Sequence, residues 1–131
     1  MAEPIVILVV EDDKSIQSLI EEVLSDGGFE PAIASSGEEA LTALSGPTAH
    51  RMLVLDIKLG KDGIRGWDVA RRARAKVPGL PIIYVTGGDA DEWAVQGVPR
   101  SVLLAKPFAP AQLVTAVAQL LNKSSAGGSD S

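Results

Sequence analysis

The chain has 131 residues, 46% of them hydrophobic, and a formal net charge of -5, which suits one domain with a sizeable core and leaves no room for a second. With no cysteine and a single histidine, His50, disulfides, cysteine nucleophiles, thiolate metal sites and multi-histidine zinc sites are excluded. The acidic balance disfavours attraction to nucleic acid, and the longest apolar run, Ile5 to Val10, is too short to cross a bilayer and lacks a basic leader and cleavage site; a cytoplasmic chain without membrane or DNA contact is expected.

Ile5-Val6-Ile7-Leu8-Val9-Val10 is a β-branched run that stops at Glu11-Asp12-Asp13, which reads as a central strand with three acids at its C-terminal mouth. Ile16, Leu19, Ile20, Val23 and Leu24 then recur at helical spacing until Gly27-Gly28. Phe29 to Ala34 is a weaker strand, Ser36 an N-cap candidate, and Ala40, Leu41 and Leu44 a short helix ended by Gly46-Pro47. Met52-Leu53-Val54-Leu55-Asp56 has the unbroken apolar pattern of a strand buried on both faces. A loop with Gly60, Gly63 and Gly66 leads to a helix predicted to turn Trp67, Ala70, Ala73 and Val77 inward and Arg71, Arg72, Arg74 and Lys76 to water. Pro81 to Thr86 is a fourth strand, residues 89 to 97 a weakly patterned helix, and Val102 to Ala105 a fifth strand. The last helix carries Leu113, Val114, Val117, Leu120 and Leu121. The domain is expected to occupy 1–122, and 123–131, from Lys123 to Ser131, to be a flexible tail without an anchoring apolar residue.

Strands alternating with helices imply an α/β fold, a five-stranded parallel sheet doubly wound into a three-layer (βα)5 sandwich. In such sheets ligands bind at the C-terminal strand edge. That edge collects Glu11 and Asp12, Asp56, Thr86 and Lys106. Three carboxylates packed together repel and call for a cation, and hard oxygen ligands suit Mg²⁺. No phosphate-cradling glycine loop accompanies them, so the set is not built for a nucleotide. It could receive one phosphoryl group, with a carboxylate as nucleophile and Lys and Thr on the phosphoryl oxygens.

Four motifs, Ile7-Leu8-Val9-Val10-Glu11-Asp12-Asp13, Leu55-Asp56, Val85-Thr86-Gly87 and Lys106-Pro107-Phe108, stand in the order and near the spacing of one family. Over residues 4 to 122 the chain resembles the receiver domain of two-component response regulators. The resemblance implies a flavodoxin-like strand order 2-1-3-4-5, Asp56 as phospho-acceptor, and Thr86 and Lys106 as its catalytic partners. It further implies Mg²⁺ held by Asp12, Asp56 and the backbone carbonyl of Lys58, with Glu11 acting through water and Asp13 serving as a helix N-cap. The expected role is a stand-alone signalling phospho-acceptor rather than an enzyme on a separate substrate. It would be charged by a sensor histidine kinase or histidine phosphotransfer protein, act on an unknown downstream protein, and remain a monomer or weak homodimer.

The sequence also departs from the family. The glycine expected eight residues after the acceptor matches Gly66, ten residues on, so a two-residue insertion is read after Asp56, and Lys58 or Asp62 is expected to lean over the site. Thr86 is followed by Gly87-Gly88, as in a variant group of stand-alone receivers, and the usual aromatic three residues before Lys106 is Leu103. A backbone change in residues 87 to 97 is therefore expected to replace the aromatic switch. Trp67 and Trp93 are read as packing residues and His50 as non-catalytic. The competing functions are a degenerate receiver that only binds partners, a flavodoxin-like cofactor protein, and a small phosphatase. The acidic loop after the first strand speaks against a flavin phosphate, and the order Glu11-Asp12-Asp13 against a haloacid-dehalogenase-like nucleophile.

Overall fold

A computed structural model describes residues 4–58, 65–87, 93 and 97–130. Its elements are β1 (Val6–Val10), α1 (Lys14–Asp26), β2 (Glu30–Ala34), α2 (Gly37–Ser45), β3 (Met52–Asp56), α3 (Gly66–Lys76), β4 (Ile82–Thr86), β5 (Val102–Ala105) and α4 (Pro110–Asp130). The five strands are all parallel and lie in the order β2-β1-β3-β4-β5. The expected helix between β4 and β5 falls mostly outside the described residues, of which Trp93 alone in that stretch is helical.

Period-two alternation divides the core into two layers. Leu8 and Val10 of β1, Leu53 and Leu55 of β3, and Ile82 and Tyr84 of β4 face α2 and α3, meeting Ala40, Leu44, Trp67 and Ala70. Ile7, Val9, Val54, Ile83 and Val85 face α1 and α4, meeting Ile20, Leu24, Leu113 and Val117. All five positions of β3 and of β4 are buried, as the unbroken apolar runs predict. β2, on the margin, is only partly buried and carries Pro31.

Two expectations are corrected. Val77 is 40% exposed, because α3 ends at Lys76 and Val77 leaves the helical backbone (φ -127°, ψ 89°), as the residue before a proline tends to do. The basic face of α3 is not wholly solvated: Lys76 donates to the Leu44 carbonyl and Arg74 is half-buried. At the C-terminus, helical backbone continues to Asp130.

Candidate functional site

The acidic loop after β1 is held from several sides. Glu11 donates its N–H to the Ala34 carbonyl (3.0 Å), extending the β1–β2 ladder by one residue and drawing its side chain into the protein. Asp13 caps α1, accepting from the N–H groups of Ser15 (2.9 Å) and Ile16 (3.3 Å) and from the Ser15 hydroxyl (2.6 Å). These bonds, that from the Ser15 side chain foremost, hold the Asp13 carboxyl below the usual carboxylate range. Asp13 is thus engaged in folding the loop, and Asp12 between them is exposed. Gln17, buried on the first turns of α1, donates to the Glu11 carbonyl and to Ser35 Oγ (3.0 Å), pinning the loop to the end of β2.

Asp56 ends β3, with its Oδ1 accepting from the Lys58 N–H (3.1 Å). Its Oδ2 lies 3.0 Å from Lys106 Nζ, and that ammonium lies 3.2 Å from Glu11 Oε1. The second contact is close but poorly aligned, so Oε1, buried from solvent, has an ionic neighbour without a hydrogen bond. The main chain brings the ammonium here, since Lys106 donates its N–H to the Thr86 carbonyl (2.7 Å) and so ties the ends of β4 and β5 together. The following peptide, Lys106-Pro107, is cis. Thr86 is itself 2% exposed.

Burial dominates the electrostatics. Glu11 is 1% exposed, and loss of water pushes its carboxyl up to about 7; the nearby charge of Asp56 acts in the same direction, against the Asp13 N–H and Lys106. For Lys106 burial favours the neutral form, but the hydrogen bond and charge of Asp56 together with Glu11 outweigh it and hold the ammonium above its ordinary value. Carboxylate oxygens of Glu11, Asp12 and Asp56 all lie within 4.8 Å of one another. An all-oxygen donor set with surplus negative charge and a buried carboxylate oxygen lacking a hydrogen bond fits a hard divalent cation.

Gly66, which opens α3, belongs to the same construction. A Cβ there would lie 2.6 Å from the Asp56 carbonyl oxygen and 2.8 Å from Ile57 Cα. Its N–H donates to the Ile57 carbonyl (3.0 Å), so the helix start rests directly on the backbone that carries Asp56.

Five residues expected at the site, Glu11, Asp12, Asp56, Thr86 and Lys106, stand at the C-terminal ends of adjacent strands, and Lys58 reaches Asp56 through its N–H. The remainder of the inserted loop, including Asp62, and most of the expected switch segment, 88–92 and 94–96, lie outside the described residues. Trp67 packs on Tyr84 (ring centroids 4.9 Å apart), and Trp93 donates to Ser101 Oγ (3.0 Å), as packing residues. His50, buried before β3 at the far edge, is pushed down by burial and then by Lys76. Sequence reasoning missed Gln17 and Tyr84. Gln17 sits on an apolar helix face, the one cue to its role; Tyr84 is paired with Leu103 across the β4–β5 ladder, and its hydroxyl accepts from the Val98 N–H (3.2 Å).

Residues 7–118 match the model of the response regulator receiver domain. The transcriptional regulatory protein CusR of Escherichia coli (strain K12) is 32% identical over 123 residues, which are 92% of this chain and 52% of CusR. A putative response regulator, NtrX-like, of Rickettsia conorii is 33% identical over 110 residues, 82% of this chain and 23% of that protein. This chain therefore spans about half the length of the first relative and less of the second. Among solved structures, a response regulator receiver protein from Sinorhizobium medicae WSM419 superposes with a TM-score of 0.89 at 43% identity, covering 93% of this chain and 98% of the other.

Proposed function

The chain belongs to the receiver-domain family of two-component response regulators, and from that membership we propose that it accepts a phosphoryl group on Asp56 and changes its protein contacts in response. The observation that carries the reading is the Lys106 ammonium set between Asp56 and Glu11 at the mouth of adjacent parallel strands. An oxygen of the Asp56 carboxylate attacks phosphorus, the bond from phosphorus to the donor's imidazole nitrogen breaks, and that electron pair stays with the leaving histidine. Lys106 holds Asp56 and then a phosphoryl oxygen, and Thr86, buried two strands from Glu11, supplies a hydroxyl to another. Glu11, Asp12, Asp56 and the Lys58 carbonyl are the groups that would hold Mg²⁺, which when bound offsets charge on the phosphoryl oxygens.

The donor in this reading is a sensor histidine kinase or phosphotransfer protein in the cytoplasm, and the protein is a phospho-acceptor rather than an enzyme on a separate substrate. The net charge of -5 makes these 131 residues themselves unsuited to DNA. No helix among the described residues is long and apolar enough to cross a membrane. The test is intact mass after incubation with Mg²⁺ and acetyl phosphate. One added phosphoryl group, labile to hydroxylamine and absent from Asp56→Asn, is expected; equal labelling of both proteins would refute the assignment.

A further inference from the structure

At the opposite edge of the sheet from Asp56, where β4 and β5 begin, the surface encloses a cavity of about 340 Å³, within the range of small-ligand sites. Pro81, Val102 and Leu120 give it an apolar wall, and Arg74 and Arg100 give it two cations. Arg74 is half-buried and donates to the carbonyls of Leu80 (2.6 Å), Pro99 (2.7 Å) and Arg100 (3.4 Å). Those carbonyls satisfy hydrogens without supplying a counter-charge, and they engage only part of a guanidinium's five N–H donors.

Among the described residues, no carboxylate lies within ion-pairing distance of Arg74 or Arg100. Burial, and after it the charge of Arg100, lowers Arg74 from its ordinary value, so the two guanidiniums are close enough to repel. Arg100 holds a left-handed backbone (φ 61°), uncommon for a long side chain and of the kind that surrounding structure must enforce. In a chain with excess acid, two cations lining one cavity without an acidic partner among the described residues are arranged for an anion from outside.

We propose that this cavity binds a small oxyanion, the phosphate or carboxylate of a compact metabolite, between Arg74 and Arg100, with the apolar wall receiving its carbon skeleton. Both groups offer paired oxygens that suit guanidinium donors. The site is independent of phosphoryl transfer at Asp56, a strand length away.

The test is a titration of ¹⁵N-labelled protein, without Mg²⁺ and at fixed ionic strength, with inorganic phosphate in one arm and acetate in the other. Saturable shifts of the Gly79, Ser101 and Val102 amides are expected in at least one arm, and the arm that saturates names the class. Arg100→Glu should weaken that binding at least about tenfold, the scale of one charge-assisted hydrogen bond. Arg100 is exposed, so the variant should keep the wild-type spectrum elsewhere and full labelling of Asp56 by acetyl phosphate. Arg74→Lys, which keeps the charge and loses the fork, should weaken binding less than Arg100→Glu. Non-saturating shifts in both arms, shifts confined to Thr86 and Lys106, or equal affinity in Arg100→Glu would each overturn the proposal.

Discussion

Replacing Glu11 by Gln removes a buried charge while keeping the shape of the side chain. In the folded protein the Glu11 carboxyl stands at about 7, against an ordinary 4.5. The folded state therefore holds this proton more tightly than the unfolded chain does. The resulting stability is fully present below about pH 4.5 and is lost as pH rises through 7. At about 1.4 kcal/mol per unit the interval corresponds to at most roughly 3 kcal/mol. The amide forgoes the contact with Lys106, so about half that gain should survive in the variant. Urea unfolding in EDTA should give nearly equal stabilities at pH 4.5 and a Glu11→Gln protein more stable by about 1–2 kcal/mol at pH 8. Millimolar Mg²⁺ should narrow the gap at pH 8, since a cation favours the charged carboxylate that Gln lacks. Parallel stability curves for the two proteins from pH 4.5 to 8 would show that desolvation of Glu11 has no energetic weight.

Gly66→Ala should destabilise by about 1–3 kcal/mol, the scale of overpacking, because the new methyl meets backbone atoms that cannot rotate away; it should also slow phosphorylation of Asp56, read by intact mass against time, whereas a wild-type rate would mean that α3 shifts freely. Tyr84→Phe removes the acceptor of the Val98 N–H and should reduce stability by about 1 kcal/mol, with hydrogen exchange at Val98 accelerated and exchange in β1 unchanged. In calorimetric titrations Asp12→Ala should weaken Mg²⁺ binding far more than Asp13→Ala, while only Asp13→Ala should lower the melting temperature through loss of its cap; the reverse order would exchange their roles.

Much of this was legible because parallel sheets leave a strong trace in sequence. β3 and β4 had to be fully apolar to be buried on both faces, and the residue that broke each run, Asp56 or Thr86, thereby marked the functional edge. Asp13 was legible as a cap through the resemblance, which gives the metal to Asp12 and leaves Asp13 at the start of α1. What stayed hidden was tertiary. Gln17 stands out on α1 only by its place on the apolar face, and its partner Ser35 is brought beside it by the fold. Arg74 reads as part of a solvated basic run until the segment before β5 supplies carbonyls for its guanidinium. Val77 fits the helical spacing, but spacing does not report that the following proline ends the helix first.

Pro31 on β2 bears on how the molecule behaves in a crowded solution. Glu30 directs its N–H inward to the Ile5 carbonyl, so in the regular alternation of a strand the next residue directs its nitrogen away from β1. That nitrogen belongs to proline and carries no hydrogen. A foreign strand seeking to extend the sheet on this side would find a donor missing at the second position of a five-residue margin. Pro31→Val would leave every internal bond of β2 intact and restore the donor. The expected result is a protein that unfolds at the same urea concentration yet self-associates more readily on warming, a separation of folding stability from colloidal stability made by one ring.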